Sequence, residues 1–214
     1  MEDRSFGLGD RGRYPQQRKE TPMTGSIELD AHCAIQTGRV PADLIPDDAE
    51  FDSLWQLHPE EFSEIKIHGK TVKVPRWDRA YAKDYPFANQ VAGAHPTPDS
   101  LKPFLNWAQT EIMAEINGLF VNWHDGKLNH YHGKHRDSTN GLIPDTPIIT
   151  ISLGEERVFR MRPYKTEGDM KDFMLNNGDY ILIPWETNQR WTHEVPKFAR
   201  FKGRRISVTM RAFE

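Results

Sequence analysis

The stretch Arg205-Ile206-Ser207-Val208-Thr209-Met210-Arg211 alternates strictly between polar and apolar side chains. On a strand, side chains point to opposite faces with a period of two. Arg205, Ser207, Thr209 and Arg211 therefore share one face, and Ile206, Val208 and Met210 share the other. The apolar face belongs to a core. The polar face belongs either to solvent or to a site that supplies anions, because a buried guanidinium without a counter-ion is costly. The two arginines stand roughly 20 Å apart along the strand at ~3.3 Å per residue. Their long side chains, leaning inward, can still converge on one small dianion. A dicarboxylic acid gripped by a guanidinium at each end meets that demand.

Upstream, Leu119–Trp123, Ile148–Leu153, Arg157–Arg162 and Tyr180–Pro184 read as further short strands, the last preceded by a tight turn at Asn177-Gly178. The front half reads differently. Residues 47–62 suggest an amphipathic helix, and Glu64–Val74 alternates around His68-Gly69 as a hairpin that Pro75 ends. Thr97-Pro98 opens a helix in which Leu101, Leu105, Ala108, Ile112 and Ile116 recur until Asn117-Gly118 stops it. Helices followed by many short strands predict an α+β chain with a β-sandwich or jelly-roll core and an N-terminal helical and hairpin extension.

With 214 residues, the chain suits one domain, expected over residues 25–214, plus a tail at 1–24 that has almost no periodic apolar residues. The single Cys33 excludes an intrachain disulfide framework and a cysteine zinc site. No apolar run approaches the ~20 residues of a membrane span, and no signal-peptide core is evident. We expect a cytoplasmic monomer, or a nuclear one in a eukaryotic cell, with no membrane association. A formal net charge of -3 provides no global field for nucleic acid, so any such contact needs a local patch. Lys197, Arg200, Lys202 and Arg204, just before the arginine strand, offer one candidate for nucleic-acid backbone; solvated loop charge is the alternative.

Within His130-Tyr131-His132-Gly133-Lys134-His135-Arg136-Asp137-Ser138, the pair His135-x-Asp137 offers an imidazole and a carboxylate from one short segment. His193 lies 193 − 137 = 56 positions further on, after the apolar strand that ends at Pro184. That separation suits two strands facing each other across a barrel. Two histidines and one carboxylate can take one face of an octahedral metal, leaving positions for a co-substrate and O₂. His130 and His132 read as imidazoles near a surface loop rather than a second metal site.

From about Ile65 to Phe213 the chain resembles the AlkB family of Fe(II)- and 2-oxoglutarate-dependent dioxygenases. The motifs are Asn122-Trp123-His124-Asp125-Gly126, His135-Arg136-Asp137, Pro147–Gly154 with Arg157-x-Phe159, Gly178-Asp179, Trp191-Thr192-His193 and Arg205-x5-Arg211. Val74-Pro75-Arg76 and Tyr85-Pro86-Phe87 resemble upstream residues of the DNA-repair branch. The resemblance implies a double-stranded β-helix that uses Fe(II), 2-oxoglutarate and O₂ to hydroxylate a substrate C–H bond. His135, Asp137 and His193 would be catalytic iron ligands. Arg211 and Asn122 would bind the 2-oxoglutarate carboxylate near the metal and Arg205 the distal one, with Ser207 on the same face. His124 stands where many members have tyrosine, and either hydrogen-bonds that acid or has no such role.

For substrate, the resemblance implies an N-alkylated nucleobase in DNA or RNA, oxidatively dealkylated with release of succinate, CO₂ and formaldehyde. Tyr85, Phe87 and Trp191 would shape the pocket, with core packing the alternative for Phe87 and Trp191. Ser138 and Thr139 stand where repair enzymes often carry acidic residues that contact the base edge. That substitution, with the mildly acidic net charge, keeps open the hydroxylation of a small molecule such as an amino acid or specialised metabolite.

Overall fold

The alternating C-terminal stretch is a strand hydrogen-bonded on both sides, deep inside a larger sheet. The computed structural model describes residues 25–67, 69–87 and 90–214; the expected tail at 1–24, the hairpin-tip His68 and the side chain of Phe87 lie outside the described residues. In chain order the strands are β1 (Gly25–Glu28), β2 (Ala34–Arg39), β3 (Glu64–Ile67), β4 (Lys70–Lys73), β5 (Trp77–Tyr81), β6 (Tyr85–Phe87), β7 (Gln90–Ala92) and β8 (Gly118–Asp125). They continue with β9 (His132–His135), β10 (Ile148–Gly154), β11 (Arg157–Pro163), β12 (Lys171–Leu175), β13 (Asp179–Ile183), β14 (Trp191–Val195) and β15 (Arg204–Arg211). The α-helices are α1 (Asp48–Trp55), α2 (Lys102–Glu111) and α3 (Trp185–Arg190).

Two antiparallel sheets form the jelly-roll core. The larger has the order β1-β2-β13-β10-β15-β8-β5 and the smaller β12-β11-β14-β9; β3–β4 and β6–β7 are separate hairpins. Residues of β2, β10 and β13 meet Phe159, Met161, Phe173, Leu175, Trp191 and Val195 of the smaller sheet in one apolar layer. The other face of the larger sheet, including Ile206, Val208 and Met210, packs against Leu54 and Trp55 of α1 and Phe104 and Ala108 of α2. The polar face of β15 is thus left to the space between the sheets.

Both helices are shorter than their sequence pattern suggests. Asp47 caps α1 in a reciprocal capping box with Glu50, but the helix ends at Trp55, whose ring is buried against the sheet. Pro98 is extended, residues 99–101 form a 3₁₀ turn, and α2 stops at Glu111, before Ile112 and Ile116. Ile116 is fully buried all the same, so its apolar spacing reflects core packing rather than helix length. The front half is also less helical than expected: seven of the strands precede α2. Gly178, φ +86°, supplies the left-handed turn before β13.

Candidate metal centre and adjoining cavity

The three expected ligands meet at one point. His135 Nε2 lies 3.2 Å and His193 Nε2 3.7 Å from Asp137 Oδ1, and the potential ligand atoms all fall within 4.8 Å of one another. They arrive differently from the expectation. β9 and β14 do not face each other across a barrel; they are neighbours in the smaller sheet, with His193 directly opposite His135. A bulge follows, since Val195 pairs with His132. Such a bulge re-aims side chains, consistent with the His132 and His135 rings stacking at 4.0 Å although they are three residues apart. His132 lines the cavity, whereas His130 is buried beside Phe62 and Trp77.

The donor set, two imidazoles and a carboxylate, suits a divalent first-row transition metal. His135 Nδ1 lies 2.8 Å from the Gly133 carbonyl, which assigns the proton to Nδ1 and leaves Nε2 bare for a metal. Burial, with the neighbouring His135, drives His193 down to about 3, so its imidazole is a neutral ligand. Burial would raise the Asp137 carboxyl, but Arg211 and the two histidines hold it well below the usual range. Asn188 of α3, which carries no signal in the sequence, clamps the same residue: its Oδ1 accepts from Asp137 N at 3.0 Å and its Nδ2 donates to Asp137 O at 3.1 Å. An asparagine in a polar hexapeptide looks like any solvated helix residue.

A cavity of about 500 Å³ adjoins the triad, lined by Arg205, Ser207, Thr209 and Arg211, the polar face of β15. Arg211 donates to Asp137 and lies 4.5 Å over the Tyr85 ring, which stacks on Phe120. Its Nε is buried without a hydrogen-bond partner among the described residues. Arg205 is buried, donates to Ser152 Oγ at 2.9 Å, and sits 3.4 Å from His124 Nδ1. No described carboxylate pairs with it, and burial, with Arg157, pushes it down to about 9. A buried guanidinium lacking an anion and another with an idle Nε suit an acid carboxylated at both ends. Asn122 also lines the cavity and accepts from Arg76 Nε at 2.6 Å through Oδ1, so its amide N–H groups are the ones left for an anion.

The family model described as the 2OG-Fe(II) oxygenase superfamily matches residues 57–211. The chain belongs to that superfamily. Within it the chain is AlkB-like, and Fe(II) and 2-oxoglutarate are the cofactors that the superfamily's description gives. The mouse protein named DNA oxidative demethylase ALKBH2 is 26% identical over 161 residues, 70% of this chain and 66% of its own length, just under two thirds. The human protein of that name is 23% identical over 193 residues, 86% of this chain and 73% of its own. Among solved structures, OsALKBH1 superposes with a TM-score of 0.54 at 12% identity, covering 87% of this chain and 99% of that one.

Other expected residues of this dioxygenase fall elsewhere. Trp191 is buried in the layer between the sheets and donates from Nε1 to Asp30 Oδ2 at 2.8 Å, so it packs rather than lines the cavity. His124 is buried beside Arg205, its cross-strand neighbour, and does not line the cavity. Thr139 lines an outer groove with Lys134, Arg136, Ser138, Tyr164 and Lys165, and Ser138 lines both spaces. Arg204 is on the helix-facing side of β15, paired with Asp52 at 2.5 Å and over the rings of Phe51 and Trp55. Lys197, Arg200 and Lys202 are exposed, but line neither cavity nor groove, and Arg200 lies over Phe198 and Phe201.

Proposed function

We propose that this dioxygenase removes alkyl groups from nucleobase nitrogens in DNA or RNA, with His135, Asp137 and His193 as its iron ligands. The observation that carries the reading is one cavity holding both the triad and the Arg205/Arg211 face, which opens beside a groove bearing Lys134, Arg136 and Lys165. Iron with 2-oxoglutarate and O₂ supplies the oxidant that turns a substrate C–H into C–OH, leaving succinate and CO₂. Arg211 and the Asn122 amide bind the carboxylate near the metal, and Arg205, steadied by Ser152 and His124, binds the distal one. Tyr85 forms a wall for the substrate and Ser138 its rim. A hydroxylated N-methyl group is a hemiaminal, which collapses to formaldehyde and the free base.

The basic groove supports phosphate contacts there rather than on the loop before β15, because phosphates beside the cavity hold a base near the metal. The names of the mouse and human relatives support DNA as a substrate. We take it to act as a monomer in the cytoplasm or, in a eukaryotic cell, the nucleus. A small-molecule hydroxylase is the competing reading, favoured by Ser138 and by the pairing of Arg160 and Arg162 with Asp172 and Glu194. Succinate and formaldehyde release, stimulated by methylated oligonucleotides or by metabolite extract, decides between them. We expect oligonucleotides to stimulate, and Asp137→Ala to abolish the response. Stimulation by metabolites alone would refute the nucleobase reading.

A further inference from the structure

One buried cation on the cavity wall is used neither by the metal triad nor by the two-arginine clamp. Arg76, just before β5, is 5% exposed and lines the cavity. Its Nε–H goes to Asn122 Oδ1 at 2.6 Å, leaving four of the five guanidinium donors. Nη2 lies 3.9 Å from Asp78 Oδ2, beyond hydrogen-bond range, and neither Nη nitrogen bonds a described residue. Asp78 itself does not line the cavity; it accepts from Ser63 Oγ at 2.6 Å and stands behind Arg76 as a partial counter-charge.

The rest of the wall has the same bias. Its other cations are Lys73, Lys134, Arg136, Arg205 and Arg211, and its carboxylates are Asp137 and Glu194. Asp137 is taken by Arg211, and Glu194 by Arg162 at 2.7 Å. Among the described residues, no wall carboxylate remains to balance a cationic base or to accept from an exocyclic amine. The residue after the metal carboxylate is Ser138, a neutral hydroxyl that accepts from Asn140 N.

We infer that Arg76 reads the exocyclic oxygen at position 4 of a pyrimidine or position 6 of a purine, so that the cavity selects neutral bases that are oxo there and alkylated on a ring nitrogen, such as uracil, thymine or guanine, over cationic N-alkylated adenine and cytosine, which carry an amine there. The inference rests on the nucleobase reading above. Methylation at N3 leaves uracil neutral, with oxygens at positions 2 and 4. The same methylation leaves cytosine positively charged with an N–H donor at position 4. Against Arg76 the oxo base pairs its oxygen with a donor. The cationic base sets donor against donor and charge against like charge, and both go unpaired in a desolvated site.

The test uses the whole chain with Fe(II), 2-oxoglutarate and O₂, and one oligonucleotide carrying 3-methyluracil or 3-methylcytosine at the same position. These bases differ only at position 4 and in charge. Formaldehyde release should give a kcat/KM on the order of 10- to 100-fold higher for 3-methyluracil. Arg76→Met should erase that preference by lowering the 3-methyluracil rate. Ser138→Asp, which adds a carboxylate and keeps Arg76, should raise the 3-methylcytosine rate, and it decides the matter even if Arg76→Met folds poorly. Arg76 also orients Asn122, so the KM for 2-oxoglutarate is measured in each variant. If Arg76→Met only raises that KM and slows both bases equally, the base-reading role is overturned. A wild-type preference for 3-methylcytosine overturns the inference while leaving dealkylation intact. Turnover of no methylated base at all, with metabolites stimulating succinate release, overturns the nucleobase reading instead.

Discussion

Replacing Arg205 by methionine separates the cost of a buried charge from its use. Arg205 is 1% exposed, and without an anion its guanidinium rests on the neutral Ser152 and His124. Burial, with Arg157, has pushed it down to about 9, several pH units below an ordinary guanidinium, so at roughly 1.4 kcal/mol per pH unit the charge is held at a cost of a few kcal/mol. Relaxation and the absence of the Ser152 bond offset part of this, so methionine should relieve about 1–3 kcal/mol. Ligand-free Arg205→Met should therefore melt above the wild type, by about 2–10 °C for a chain of this size. With 2-oxoglutarate the sign reverses. Removing one partner of a buried charge pair costs about 2–5 kcal/mol, equivalent to a rise in KM of about 30- to several-thousand-fold. Thermal melts with and without 2-oxoglutarate, and succinate release across a 2-oxoglutarate titration, read both effects. A KM within about threefold of wild type, together with a lower ligand-free Tm, would show that Arg205 is structural and refute the two-carboxylate clamp.

Asn188→Leu should weaken iron binding by about 10- to 100-fold, because the backbone of Asp137 is left without either of its side-chain partners; metal titration followed by iron content measures this. Reversing the charges of Lys134, Arg136 and Lys165 should weaken oligonucleotide binding and lower the slope of log K against log salt by about 0.7–0.9 for each phosphate no longer neutralised. Arg204→Ala should leave both unchanged, since that side chain is held by Asp52 and the α1 aromatics. Trp191→Phe removes the bond to Asp30 and should lower stability by about 1 kcal/mol, with the KM for 2-oxoglutarate unaffected.

The chemistry of the site is largely written in local order. The period-two alternation of residues 205–211 assigns two arginines to one polar face, and that face does line the cavity. The spacing of His135 and Asp137 makes them candidate ligands from one segment, and their potential ligand atoms lie with those of His193 within 4.8 Å. Where sequence and structure part, one cause is shared: burial answers to several geometries. Apolar spacing at Ile112 and Ile116 suggests helix, but core packing rather than helical geometry requires it. Trp191 suggests a pocket residue, although a large apolar ring with one N–H fits equally well between two sheets.

By itself the amino-acid order determined which residues alternate, which turn at Gly178, and which carry imidazole, carboxylate or guanidinium. Side-chain direction on a strand is a property of neighbouring residues, so it can be read locally. Only the tertiary structure decided that β9 and β14 are neighbours, that a bulge turns His132 toward His135, that Asn188 clamps Asp137 and that Asp52 consumes Arg204. The two side-chain pairings, Asn188 with Asp137 and Asp52 with Arg204, join residues 51 and 152 positions apart. Burial of whole sheet faces selects such pairings, and the entropy of closing the loops between them grows only slowly with length. Separation along the chain therefore carries almost no trace of the partner. The same holds for Arg76, whose bond to Asn122, 46 positions away, uses only the Nε–H of a guanidinium that lines the cavity.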